Sequence, residues 1–149
     1  MKKRFEKSTI ELQDILNKAG KEAALEQYLK DIKKSEGELL LHDYLNEILA
    51  QKGLKLSDVV KNSGFGKGYV YNIFGGKRDN PDKMKLIGIC IACHMTLAET
   101  QRTLKIAGKG ILYPRNPGDA IIIYNINKEN WSVMEINEQL FAHGLPIIE

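Results

Sequence analysis

Apolar residues recur at helical spacing along nearly the whole chain, and small polar residues and glycines fall where helices would start and stop. Ser8 with Glu11 fits a capping box, and Ile10, Ile15, Leu16 and Ala19 then share one face up to a break at Ala19-Gly20. Ala24, Leu25, Tyr28, Leu29 and Ile32 give a second amphipathic pattern, followed by a polar linker over 33–38. Leu41, Tyr44, Leu45, Ile48 and Leu49 predict a helix over 40–51 that stops at Gly53. A short helix over 56–63 turns Val59 and Val60 inward, Gly64 supplies a turn, and a third helix over 66–74 buries Val70, Ile73 and Phe74. Gly75-Gly76 ends it. After a polar loop over 77–81, Pro81 and Asp82 prepare a strongly apolar helix over 85–94, expected to be the central buried one. Thr96 with Glu99 makes another capping box, opening a helix that runs to Ala107.

The remainder begins with a loop over 108–118, rich in glycine and proline. The run AIIIYNIN follows Asp119. Residues 120–126 are β-branched and short enough for a strand, but Asp119 is a good N-cap and every neighbouring pattern is helical, so helix is preferred. Ser132 with Glu135 fits a capping box, Val133, Ile136, Leu140 and Phe141 form an apolar stripe, and Gly144 ends it. Without a strand pair or hairpin turn, the predicted class is all-α. The predicted divisions are a helical extension with linker over 1–38, a domain over 39–108 and a helical extension over 109–149.

Charge changes this picture. The formal net charge of the 149 residues is only +3. Residues 52–85, however, carry 8 Lys/Arg against 3 Asp/Glu, whereas 1–51 (9 against 10) and 86–149 (5 against 6) are each slightly acidic. The excess therefore sits in the middle of the chain. Clustered positive charge suits a polyanion, because neutralised phosphates release their counterions; a merely solvated basic face is the plainer alternative. The start, MKKRFEKS, is basic but lacks the apolar stretch of a secretory signal, and no apolar run approaches the ~20 residues that span a bilayer. A cytoplasmic location with reduced cysteines is the expectation.

The same basic segment holds the most telling pattern. Residues 53–81, GLKLSDVVKNSGFGKGYVYNIFGGKRDNP, read as two short helices joined by a glycine-bearing turn, the second helix opening with Lys67. An α-helix fits the major groove of B-DNA with its N-terminal residues nearest the base edges. Such a helix must be polar on the entering face and apolar on the other. With Val70, Ile73 and Phe74 inward, Lys67, Tyr69, Tyr71 and Asn72 are left outside or at the rim. Lysine can donate to guanine and asparagine can pair with adenine.

Residues 40–107 resemble the lambda-repressor-like, or XRE, helix-turn-helix family. The stretch GFGKGYVYNIFGGKRDNP is similar to that family's turn, recognition helix and following loop, and NPDKMKLIGICIACHMTLAET to its fourth helix and the capped start of its fifth. The resemblance implies a five-helix domain whose second and third helices form the DNA-binding unit, with helical extensions at both ends. It implies that Lys67, Gly68, Tyr69, Tyr71 and Asn72 face bases or groove, and that Lys55, Lys77 and Arg78 reach phosphate. Two positions depart from the family pattern: Leu56 stands where a glutamine is usual, and Lys55 where Ser or Thr caps the second helix. Gly66 and Gly68 weaken the third helix, at about 1 kcal/mol per internal glycine. The implied function is a sequence-specific transcription regulator that binds double-stranded DNA as a homodimer. The alternative is an antitoxin or a protein–protein adaptor on the same fold, with a protein partner held through either extension.

Other motifs are weaker. Cys90-Ile-Ala-Cys93-His94 matches the haem-attachment pattern C-x-x-C-H, yet it lies inside an apolar helix of a chain without an export signal. Buried cysteines acting as small hydrophobes are the ordinary case. His42 and His143 would complete a zinc set only by tertiary accident. GFGKG matches no nucleotide fingerprint, and there is no catalytic elbow, P-loop or H-E-x-x-H, so neither an enzyme nor a bound cofactor or metal is expected. Trp131 and the stripe Val133, Ile136, Leu140 and Phe141 either join two copies or dock on their own core; sequence alone leaves both open.

Overall fold

The computed structural model describes residues 25–30, 40–78 and 80–149. The helix expected from Ser8 and the linker over 33–38 lie outside the described residues. The chain divides into Met1–Leu40 and Leu41–Glu149. In the first unit residues 25–30 are helical, with Leu25 and Leu29 exposed and Tyr28 half-buried. Ala24 and Ile32 of that predicted stripe are not among the described residues.

The second unit contains α1 (Leu41–Lys52), α2 (Leu56–Ser63), α3 (Lys67–Phe74), α4 (Lys83–Ala92), α5 (Leu97–Ile106), α6 (Pro117–Asn127) and α7 (Val133–Ala142). Every regular element among the described residues is a helix, as the all-α reading requires. Residues 120–126 are helical. The C-terminal helices belong to the same unit as the five before them.

α4 is the hub. Its residues from Leu86 to Ala92 are all buried, and it packs against α2, α5 and α7. α1 packs against α3 and α5, α2 also against α3, and α6 joins α5 to α7. The sequence explains why short helices hold in this arrangement. α3 has eight residues and an internal glycine, too little to persist alone. Burying Val70, Ile73 and Phe74 contributes on the order of 1.5–3 kcal/mol each, which outweighs the ~1 kcal/mol that Gly68 costs.

The caps define the boundaries. Thr96 and Glu99 form the expected capping box, with hydrogen bonds of 3.2 and 2.9 Å. Asp82 caps α4 through the N–H groups of Met84 and Lys85, so that helix starts two residues earlier than its apolar pattern. It also ends earlier: Cys93 is the C-cap and His94 turns the chain in the left-handed region (φ 56°). The expected Asp119 cap is corrected. Asn116 caps α6, accepting from the Asp119 N–H at 3.0 Å, and Pro117 occupies the first turn, where its missing N–H costs nothing. Asp119 instead accepts from the Tyr113 N–H at 3.0 Å and steadies the preceding loop. Ser132 caps α7 through the Glu135 N–H, but the Ser132 N–H donates to Asn130 Oδ1 at 3.4 Å, so the reciprocal half of that capping box is replaced.

Two amide clamps hold the non-helical segments. Gln101 donates to the Leu112 carbonyl at 2.9 Å and accepts its N–H at 2.8 Å, pinning the α5–α6 connection. Asn137 does the same for Ile148, with both bonds at 2.7 Å, and seats the C-terminal tail. The tail then meets α4 at Gly88. A Cβ there would lie 2.7 Å from Phe65 Cζ and 2.8 Å from Ile148 Cγ2. One missing side chain thus admits both the α2–α3 turn and the tail.

The predicted C-terminal stripe docks on its own core for the most part. Val133, Ile136 and Leu140 are buried, and the Trp131 indole N–H donates to the Met95 carbonyl at 3.0 Å while its ring stacks on His94. Phe141 is the correction: it is 78% exposed. It stands eight residues after Val133, at the edge of the stripe, and turns outward with Met134.

Candidate nucleic-acid interface

α2 and α3 are joined by residues 64–66. Gly64 takes the left-handed conformation (φ 74°) that closes α2, its N–H reaching the Val60 carbonyl. Ser63 Oγ then accepts the Phe65 N–H at 3.2 Å, and Gly66 is the N-cap of α3. α3 therefore begins at Lys67. Its far end is fixed from α1: Asn46 donates to the Phe74 carbonyl at 2.8 Å and to its own helix at His42 at 2.7 Å. The turn before α3 is thus fixed from α2 and the far end of α3 from α1, and the buried face of the helix sets its orientation.

That exposed face carries Lys67, Gly68, Tyr71 and Asn72. The Lys67 ammonium lies 5.3 Å from the Tyr71 ring centroid, within cation–π range. The Asn72 carbonyl accepts the N–H groups of Lys77 and Arg78, at 2.9 and 3.1 Å, and so roots the basic loop at the end of α3. Both loop side chains are exposed. Lys55 is exposed at the N-cap of α2, where its N–H donates to Asp58 Oδ2 at 2.8 Å. A lysine side chain has no acceptor, so it cannot cap the helix itself and stays available.

Tyr69 is placed differently from its neighbours. It is half-buried, edge-on to Phe65 at 5.9 Å, and its hydroxyl is buried without a hydrogen-bond partner among the described residues. Burial raises its pKa above the usual tyrosine value, partly offset by Arg78, with Asp82 adding to the rise. The ring serves as a platform: the Arg78 guanidinium lies 5.1 Å from its centroid and the Lys85 ammonium 4.6 Å. Lys85 is the residue that sequence reasoning missed. A signal exists for it, since Lys83 and Lys85 sit in the first turn of α4, where positive side chains oppose the helix dipole and gain nothing from it. Lys67 occupies the same unfavourable place in α3, whose first turn holds no acidic residue.

Ring contacts therefore gather Lys67, Arg78 and Lys85 around Tyr69 and Tyr71, and none of the three is ion-paired among the described residues. Lys55 and Lys77 take no part in those ring contacts. Lys52, counted in the same basic stretch, is committed elsewhere by its 2.8 Å ion pair with Glu99.

The two cysteines of the C-x-x-C-H motif pack as core, while His94 is half-buried against Trp131. Cys90 and Cys93 are free and fully buried. Burial pushes the Cys90 thiol up to about 12 against a smaller lowering by Thr103, and it raises Cys93 as well, with Cys90 adding to the rise. Metal ligation and nucleophilic chemistry use the thiolate, which is scarce here at neutral pH. Among the described residues no three of His, Cys, Asp and Glu come together as a metal site, and no helix is long and apolar enough to cross a membrane.

Compared with protein-family models, curated proteins and solved structures, the chain gives no match.

Proposed function

We propose that the chain is a sequence-specific DNA-binding regulator of transcription, with α1–α5 arranged as in the lambda-repressor-like domains and α3 reading the major groove. The observation that carries this reading is the two-sided chemistry of α3. One face buries Val70, Ile73 and Phe74; the other presents Lys67, Gly68, Tyr71 and Asn72 to solvent. Arg78 and Lys85 lie against the Tyr69 ring of the same helix, and Lys77 is rooted at the Asn72 carbonyl, so donors suited to base edges have cations suited to phosphates close by. Lys55 adds a further cation at the start of α2, the helix that crosses the backbone in this docking mode. Tyr69 acts as a support for Arg78 and Lys85, and base contact falls to Lys67, Tyr71 and Asn72.

Selection of binding sites from a random DNA pool tests the reading. The full chain is expected to enrich one motif, and Lys67→Ala/Tyr71→Ala to lose it while keeping a native far-UV spectrum. Lys77→Ala should leave the motif intact and flatten the salt dependence, the log–log slope falling by about 0.9 for each phosphate that is no longer neutralised. An adaptor on the same helices would be indifferent to all three changes. Weak binding that the double variant leaves unaltered would overturn the proposal.

A further inference from the structure

A second concentration of positive charge lies outside the α2–α3 pair. From Thr100 to Gly118 the chain carries Arg102, Lys105, Lys109 and Arg115, and neither Asp nor Glu. The slightly acidic balance of 86–149 conceals this, because the carboxylates stand on either side of the stretch. The fold brings its middle onto the start of α4. The Lys109 N–H closes the end of α5 on the Leu104 carbonyl at 2.8 Å, and the Gln101 clamp on Leu112 fixes the other side of the same short connection. Lys109 is therefore aimed from a fixed base. Its ammonium donates to Asn80 Oδ1 at 2.7 Å, across 29 residues of sequence. The Lys83 ammonium reaches the same connection, lying 3.6 Å from the place a Cβ would take on Gly110.

Two half-buried lysines thus converge on one loop, and neither is ion-paired among the described residues. Asp82, next to Lys83, is occupied in capping α4. Lys83 gains nothing from the helix it opens, since its charge faces the positive end of the dipole. Like charges brought together in this way repel. A phosphate set between them relieves the repulsion and gains charge-assisted hydrogen bonds. We propose that Lys83 and Lys109 hold a backbone phosphate of duplex DNA beyond those that Lys77 and Arg78 reach. Asn80, to which Lys109 is bound, stands two residues after Arg78, at most about 7 Å of chain away. A strand of B-DNA offers a further phosphate about every 3.4 Å along its axis, so a cation this close to the first set meets the next ones. Lys109 lies past the residues that resemble the helix-turn-helix domain, which makes this contact an addition of the chain's own. The inference deepens the regulator reading by enlarging its footprint, and rests on it only in taking duplex DNA as the polyanion.

Anisotropy titrations of the full chain on a random-sequence duplex, repeated over a series of salt concentrations, test the contact. Glutamine removes the charge and leaves a polar side chain, so Lys83→Gln/Lys109→Gln should keep the wild-type thermal melt. Its log–log salt slope should fall by about 0.9 for the one phosphate released. Lys109→Arg should keep the wild-type slope. Lys128→Gln, at the far end of α6, should leave it unchanged as well. A double variant with the wild-type slope would overturn the proposal. So would an equal fall in Lys128→Gln, which would assign the effect to net charge rather than to place. Site selection, run separately, keeps the two ideas apart. A slope that falls as expected in a chain that enriches no motif leaves the contact standing and removes the sequence-specific reading. An enriched motif that the double variant binds with an unaltered slope does the reverse. A wild-type chain that binds no duplex at any salt concentration would overturn both.

Discussion

Gly68 weakens α3, and nothing in the packing calls for it: a Cβ there would meet no atom within 4 Å. Gly68→Ala should therefore stabilise the unit by about 1 kcal/mol, read as a higher denaturation midpoint. If this exposed spot lies against DNA, the added methyl should weaken binding at the same time. A variant that gains stability and keeps its full affinity would place the DNA elsewhere. Opposite movement of the two readouts separates a functional glycine from a neutral one. Tyr69 shows how far such a face can be read from sequence. Its neighbours Lys67, Tyr71 and Asn72 follow from the inward triad Val70, Ile73 and Phe74. Tyr69 stands four residues before Ile73 and four after Phe65, which puts it on the inner rim. The spacing is visible in the sequence, but a tyrosine is amphipathic enough to be assigned to either side.

At the scale of elements, caps are the most legible feature where side chain and backbone agree, as at Asp82 and at Thr96 with Glu99. The start of α6 escapes a sequence reading because Asn116 and Pro117 look like loop residues, although together they make a strong helix start. The ion pair of Lys52 with Glu99 is not legible either, since it joins α1 to α5 across the fold. Partial burial raises the Glu99 carboxyl, but the hydrogen bond from Lys52, the Thr96 N–H and the ammonium charge together lower it below its ordinary value. A lowered folded-state pKa stabilises above the unfolded value, and that stabilisation disappears as the pH falls through the folded one. Glu99→Gln keeps an acceptor for the cap and removes the charge. It should cost about 1 kcal/mol near neutral pH in chemical denaturation, and the gap from wild type should close as the pH drops below the usual carboxylate range. A gap that persists in acid would assign the effect to packing rather than to charge.

For the whole molecule, Gly88 joins parts that sequence keeps far apart. Gly88→Ala would press a methyl into Phe65 and Ile148 at once, with an expected cost of about 1–3 kcal/mol, read as a lower denaturation midpoint. An unchanged denaturation midpoint would mean that the turn and the tail give way around the methyl without loss of packing. That the C-terminal helices share a unit with the preceding five is not legible, because an apolar stripe looks the same whether its partner lies in the same chain or in another. The two thiols at the α4 end of the core have a separate use. They sit fully buried in and just after the central helix, held protonated, with no path to solvent while that helix is in place. A thiol reagent can label them only in molecules whose centre has opened. When labelling outpaces reclosing, its rate measures how often that centre opens, so the native chain carries its own clock for the opening and needs no engineered probe.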